Sequence, residues 1–251
     1  MRKATSIFFD FFKFGGSLKT PSDFDLIMRK VRKVTSDEAR KNHLYSVMGD
    51  VEHLLRIIRL LVRPYQSEVM RRIFLHDGGA LGGERVEPTF KNLWFDAGDA
   101  VTRDGHRLTE LTYDRSCTPL TIDIAKDPIL PWPWNQGRLD DALAFMGAER
   151  GYGEWEYDNL NHSVALVLPV RIGIVWGGNH SLSAGLVTGG GTIETENIID
   201  LSALYPHVVC DGRFYRHAHS GEAIAKVQNE IFAAVFEIGR IISELEEARA
   251  S

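Results

Sequence analysis

Several features that would fix a class at once are missing or scarce. There are only two cysteines, Cys117 and Cys210, far apart in the chain. They fit no disulfide framework and are expected to be reduced and unpaired in a cytoplasm. No apolar run approaches the length that crosses a bilayer. Basic residues are not in excess: 29 Lys and Arg stand against 34 Asp and Glu, a net charge of −5, which argues against a general nucleic-acid or acidic-membrane binder. No internal repeat is evident, and there is no Gly-x-Ser-x-Gly elbow. The most glycine-rich stretch, Asp77-Gly78-Gly79-Ala80-Leu81-Gly82-Gly83-Glu84, lacks the Lys-Ser/Thr that completes a phosphate loop and reads as a linker.

What is present is ordinary for a folded chain of 251 residues: 44% hydrophobic and 25% charged, enough to bury a sizeable core. The N-terminus carries Ile7-Phe8-Phe9-Asp10-Phe11-Phe12-Lys13-Phe14 behind Arg2 and Lys3. Asp10 and Lys13 interrupt the apolar part and no small-residue cleavage site follows, so it reads as a short amphipathic segment that docks onto the domain or a partner, with a membrane-surface anchor as the alternative. Phe24, Ile27, Met28 and Val31 then recur at helical spacing, ending in the basic run Arg29, Lys30, Arg32, Lys33. Asp50 opens a second apolar-faced helix that Arg63-Pro64 should end, with a further short helix over 67–75. The chain thus divides into an N-terminal helical region, 1–76, and a core, 77–251.

From Pro88 the texture changes to strands and turns. Strands are expected at 91–95, 108–113, 120–124, 164–170 and 170–176, with a turn at Asp104-Gly105 and a hairpin tip at Asp211-Gly212. The segment Pro128-Ile129-Leu130-Pro131-Trp132-Pro133-Trp134-Asn135 is stiff and aromatic. Trp132 and Trp134 read either as packing residues or as a stacking wall for a base or sugar. A short helix should follow over 138–147. A long amphipathic helix, capped by Ser220-Gly221-Glu222, should close the chain and offers a face for a homodimer.

The rest is organised around 170–187. An apolar, β-branched strand runs into Gly177-Gly178-Asn179-His180-Ser181 and then into small residues that begin a helix. Strand, glycine turn and helix start aim free main-chain N–H groups at one spot, which suits a phosphate. Gly177, Gly178 and His180, followed by Ala184, resemble the box of the ParB/sulfiredoxin-like superfamily, and the order strand, proline-marked segment, short helix, strand, box is similar as well. Asn179 stands where sulfiredoxin has its nucleophilic Cys, which excludes that chemistry here. Ser181 stands where the family usually has Arg; Arg138 or Arg171 could take its place. The resemblance implies an α+β protein with a mixed-sheet core, and a nucleotide- or phosphate-binding function, as a phosphotransferase or nucleotide hydrolase. On this reading Gly177, Gly178 and Asn179 are ligand-binding residues, joined by Trp132 and Trp134 as the stacking wall and Arg138 as the substitute cation; His180 and Ser181 are the catalytic candidates, and a nucleoside triphosphate with Mg2+ is the candidate ligand. The rival reading is a non-catalytic bacterial or phage accessory protein whose box is a structural turn and whose aromatic segments meet a protein partner. His207, Cys210, His217 and His219 have zinc-ligand chemistry but fit no common finger spacing, so no metal site is expected.

Overall fold

The computed structural model describes residues 20–36, 50–76 and 87–250; within that span the side chains of residues 114–117 are not described. The aromatic N-terminal segment, the glycine-rich linker at 77–84 and the Cys117 side chain therefore lie outside the described residues. The protein is α+β: the described residues form seven helices, the last of them a long C-terminal one, with a mixed five-stranded sheet and a small three-stranded sheet. No helix among the described residues is long and apolar enough to cross a membrane.

Helix α1 (Asp23–Thr35) is capped by Ser22, whose hydroxyl accepts from Asp25 N, and buries Phe24, Met28 and Val31. Helix α2 (Val51–Leu75) is capped by Asp50 and runs unbroken through Pro64, contrary to the stop expected there. An interior proline costs about 3 kcal/mol. Burial of Leu54, Ile58, Val62, Val69 and Ile73 on both sides of Pro64 outweighs that loss. The strand expected at 91–95 is instead the short helix α3 (Phe90–Leu93), capped by Thr89. The strand expected at 108–113 begins as helix α4 (Leu108–Thr112), because the Glu110 carboxylate accepts from Arg107 N and caps it. The turn at Gly105, with φ +86°, is as expected.

The main sheet is built from β1 (Tyr113–Asp123), β2 (Ile129–Leu130), β3 (Ser163–Leu168), β4 (Ile172–Gly177) and β5 (Thr192–Asp200). Its spatial order is β1-β5-β3-β4-β2. Strands β3 and β4 form an antiparallel hairpin, whereas β2 and β4 are parallel, with Ile129 opposite Gly173 and Leu130 opposite Ile174. Helix α5 (Gln136–Phe145) follows β2 and α6 (Asn179–Thr188) follows β4. After β5 come a short 3-10 turn, the antiparallel strands β6 (Val208–Cys210), β7 (Phe214–His217) and β8 (Ala223–Lys226), and α7 (Glu230–Ala250). The last helix starts later than the sequence suggests. Ile224 and Val227 belong to β8 and its exit, and the Asn229 side chain, accepting from Ile231 N, replaces Ser220 as the cap.

The strand period of two sorts the sheet's side chains onto two faces. Ala165, Val167, Ile172 and Ile174 face one cluster, together with Phe24 and Met28 of α1, Leu54 and Ile58 of α2 and Phe232 and Phe236 of α7. Val164, Leu166 and Val175 face the other, with Leu182 of α6 and Trp155. The N-terminal helices therefore share a core with the sheet and the C-terminal helix.

Candidate functional site

Parallel pairing of β2 with β4 decides where the site lies. Both strands end at the same edge of the sheet, so the chain leaving β2 through Pro131-Trp132-Pro133-Trp134 runs beside the chain leaving β4 through Gly177 and Gly178. Such strand ends, where a helix begins, are the usual ligand positions in α/β sheets. Gly178 is the N-cap of α6 and has φ +75°, left-handed backbone that favours glycine. A Cβ there would also collide with Cδ2 of His162. With no side chain on the cap, the first-turn N–H groups of Asn179, His180 and Ser181 have no helical acceptor.

The side chains of the box are engaged elsewhere. Asn179 Oδ1 accepts from Trp132 N at 2.6 Å. His180 Nε2 accepts from Asn135 N at 3.2 Å. Ser181 Oγ lies 2.9 Å from His162 Nε2. The buried Ser183 hydroxyl donates to Asn179 O at 2.8 Å. Three consecutive residues thus pin two separate segments, 132–135 and 158–162, to the start of α6.

These bonds fix the tautomers. Asp158 N donates to His162 Nδ1 at 3.0 Å, so the neutral ring carries its proton on Nε2 and donates it to Ser181 Oγ. A catalytic Ser-His pair needs the reverse, with a carboxylate on the far nitrogen and a bare Nε2 facing the hydroxyl. His162 is also sandwiched between the rings of Trp155, at 5.2 Å, and Tyr157, at 5.9 Å. Burial lowers its pKa, against an upward pull from Asp158. His180 likewise spends Nε2 on a main-chain N–H, and its pKa is lowered by burial first and by Arg138 second. Both imidazoles are held toward the neutral form.

Two cavities flank this hub; Trp134 lines the first, and its ring contacts Arg138 and His180, which line the second. The first, of about 490 Å³, is lined by Trp132, Trp134, Trp176, Tyr113, Phe90 and Asn179, among others. Trp134 and Trp176 are each 50% exposed, and Trp176 stacks on Tyr113 with centroids 6.2 Å apart. Its lining residues include Glu87 and no Lys or Arg. The second, about 400 Å³, is lined by Arg138, Asp141, Asn161, Gly178, His180 and Ser181. The Arg138 guanidinium sits 5.6 Å above the Trp134 ring, and that ring meets His180 edge-on at 5.5 Å.

The structure thus gathers the residues named from sequence: Gly177, Gly178, Asn179, His180, Ser181, Trp132, Trp134 and Arg138 all lie at one sheet edge. Arg171 does not join them. It sits at the opposite end of β4, where its guanidinium pairs with the buried Asp127 at 2.7 Å. Glu194 and Glu196 line a different cavity with His162, and Lys126 pairs with Asp123. Trp176 and Tyr113 were missed. The available signal was parity: Trp176 shares a strand face with Ile172 and Ile174 but comes last, where the covering layer ends. The small residues of α6 have a local reason, since a Cβ at Gly185 would lie 2.8 Å from the Trp155 ring. Among the described residues no group of three or more His, Cys, Asp or Glu could hold a metal ion, and burial pushes the Cys210 thiol up to about 12.

No curated protein and no solved structure matches the chain. A family model does, over residues 10–249, nearly the whole length; the chain belongs to DUF6710, a family of unknown function.

Proposed function

We propose that the protein binds a nucleotide or a related phosphate-bearing aromatic ligand across the edge formed by β2 and β4, as a ParB/sulfiredoxin-like binding module. The observation that carries this is the pairing of two unlike cavities at the start of α6, one lined by Trp134 and Asn179 and the other by Arg138, Gly178 and His180. An aromatic cleft suits a planar ring, with Trp134 and Trp176 as stacking faces. The uncapped start of α6, with Arg138 beside it, suits an anion: main-chain N–H groups and one guanidinium stand in for the Arg that Ser181 replaces. Gly177 and Gly178 keep the backbone bare. Mg2+ would arrive with a triphosphate, Asp141 being the carboxylate in that cavity.

Binding is the function the geometry favours over turnover. Ser181 Oγ accepts a hydrogen bond from His162 rather than donating one to it, and His180 Nε2 accepts from the main-chain N–H of Asn135. The test is a thermal-shift screen against ATP, ADP, CTP, GTP and inorganic phosphate, with and without Mg2+. A ligand that binds only the native state raises its apparent stability. A rise with one nucleotide that is reduced in Arg138→Gln supports the reading. No rise in a well-folded sample favours the rival, a partner-binding accessory protein whose exposed Trp134, Trp176 and Tyr113 form the contact.

A further inference from the structure

We propose that the outward face of α1 is a peripheral docking surface for anionic lipid membranes. The helix turns Phe24, Met28 and Val31 into the core, while Arg29, Lys30, Arg32 and Lys33 are all exposed. At 100° per residue these four cations cover the arc opposite the buried one. Leu26, 40% exposed, lies among them, three, four and seven residues before Arg29, Lys30 and Lys33. The helix dipole accounts for cations in the last turn only, Arg32 and Lys33. None of the four has an ion-pair partner among the described residues, although α2 pairs Arg56, Arg71 and Arg72 with its own glutamates.

The charge is segregated along the chain as well. Residues 1–35 hold eight Lys and Arg against three Asp, a charge of +5 in a chain of −5, so the remainder carries −10. The first fourteen residues hold five of the thirteen phenylalanines, Phe8, Phe9, Phe11, Phe12 and Phe14. Cations interleaved with aromatic and leucine side chains suit a bilayer interface, where the charges meet lipid headgroups and the apolar groups enter the acyl boundary. A long nucleic acid is disfavoured. Nothing in its backbone takes up the exposed Leu26 or the phenylalanines.

The test is co-sedimentation of the full-length protein with vesicles of phosphatidylcholine alone and of phosphatidylcholine with about 30% phosphatidylserine, an anionic fraction high enough to attract basic segments. Binding is expected to the anionic vesicles only. Raising the salt from about 50 to about 200 mM should weaken it severalfold by screening. Arg29→Gln/Lys30→Gln/Arg32→Gln/Lys33→Gln should lose roughly tenfold or more, at about fivefold per cation near the surface with partial compensation. The four side chains are exposed, so this variant should keep the wild-type melting curve. Phe8→Ser/Phe12→Ser should weaken binding while leaving its salt dependence intact. Equal binding to both vesicles, none to either, or a quadruple variant that binds as wild type would overturn the proposal. So would tighter binding of double-stranded DNA than of anionic vesicles, lost in that variant, which would make nucleic acid the partner.

Discussion

The two cavities at the start of α6 use their residues in opposite ways. On the glycine-box side, the residues that look chemically capable, Asn179, His180 and Ser181, spend their side chains holding the main chain at Trp132 and Asn135 and the ring of His162. On the aromatic side, Trp134 and Trp176 are half exposed and Tyr113 is nearly so. What a motif offers a ligand is what remains after its structural hydrogen bonds are counted. Here the box retains its backbone, and the cleft retains its side chains.

That contrast can be broken most forcefully at the glycine. Gly178→Val adds a β-branched side chain to left-handed backbone and drives it into His162. Strain and overpacking together should cost about 3 kcal/mol, read as a shift in the urea midpoint. His162→Ala should follow at about 2–3 kcal/mol, since it empties the space between Trp155 and Tyr157 and removes the partner of Ser181. Ser181→Ala, which leaves only the His162 Nε2–H without its acceptor, should cost about 1–2 kcal/mol in the same assay. If Ser181→Ala proved neutral, the box would not be the hub described.

Acid should act on the same hub. Burial lowers the pKa of both His162 and His180 below the ordinary value near 6.5. The unfolded chain therefore takes up protons first as the pH falls. The stability tied to these rings is complete above about pH 6.5 and declines below it. Charging His162 would also turn Nδ1 into a donor facing Asp158 N–H. Urea midpoints measured from pH 7.5 to 5 should fall, and the fall should be shallower in His162→Ala than in wild type. The smallest effect on stability belongs to the cleft: Trp134→Ala and Trp176→Ala should each change it by less than about 1 kcal/mol, as expected of half-exposed side chains.

Much of this was legible in the sequence, for identifiable reasons. The β4–Gly178–α6 unit is local, written in a β-branched run, a glycine and a string of small residues, and it forms where expected. Helix α5 and the Asp211-Gly212 hairpin are local in the same way. Errors arose where tertiary packing overrode a local signal. Pro64 breaks nothing because α2 is buried on both sides of it. Residues 223–227 form a strand because β7 pairs with them, although their spacing also continues a helix. The site divides similarly. Parallel pairing of β2 with β4 is a long-range fact, so the approach of Trp134 to His180 could be guessed only from the order of elements. The capture of Ser181 by His162 depends on the β3–β4 hairpin bringing residues 19 apart into contact.

The measurement that bears most directly on this division of roles is calorimetric titration of the tightest nucleotide from the screen into wild type, Ser181→Ala and Trp134→Ala, under conditions where all three are folded. The account predicts that Ser181→Ala, though less stable, binds within a fewfold of wild type, and that Trp134→Ala loses about tenfold, the worth of one stacking face. Abolished binding in Ser181→Ala together with wild-type affinity in Trp134→Ala would contradict it, and would return the box side chains to the ligand.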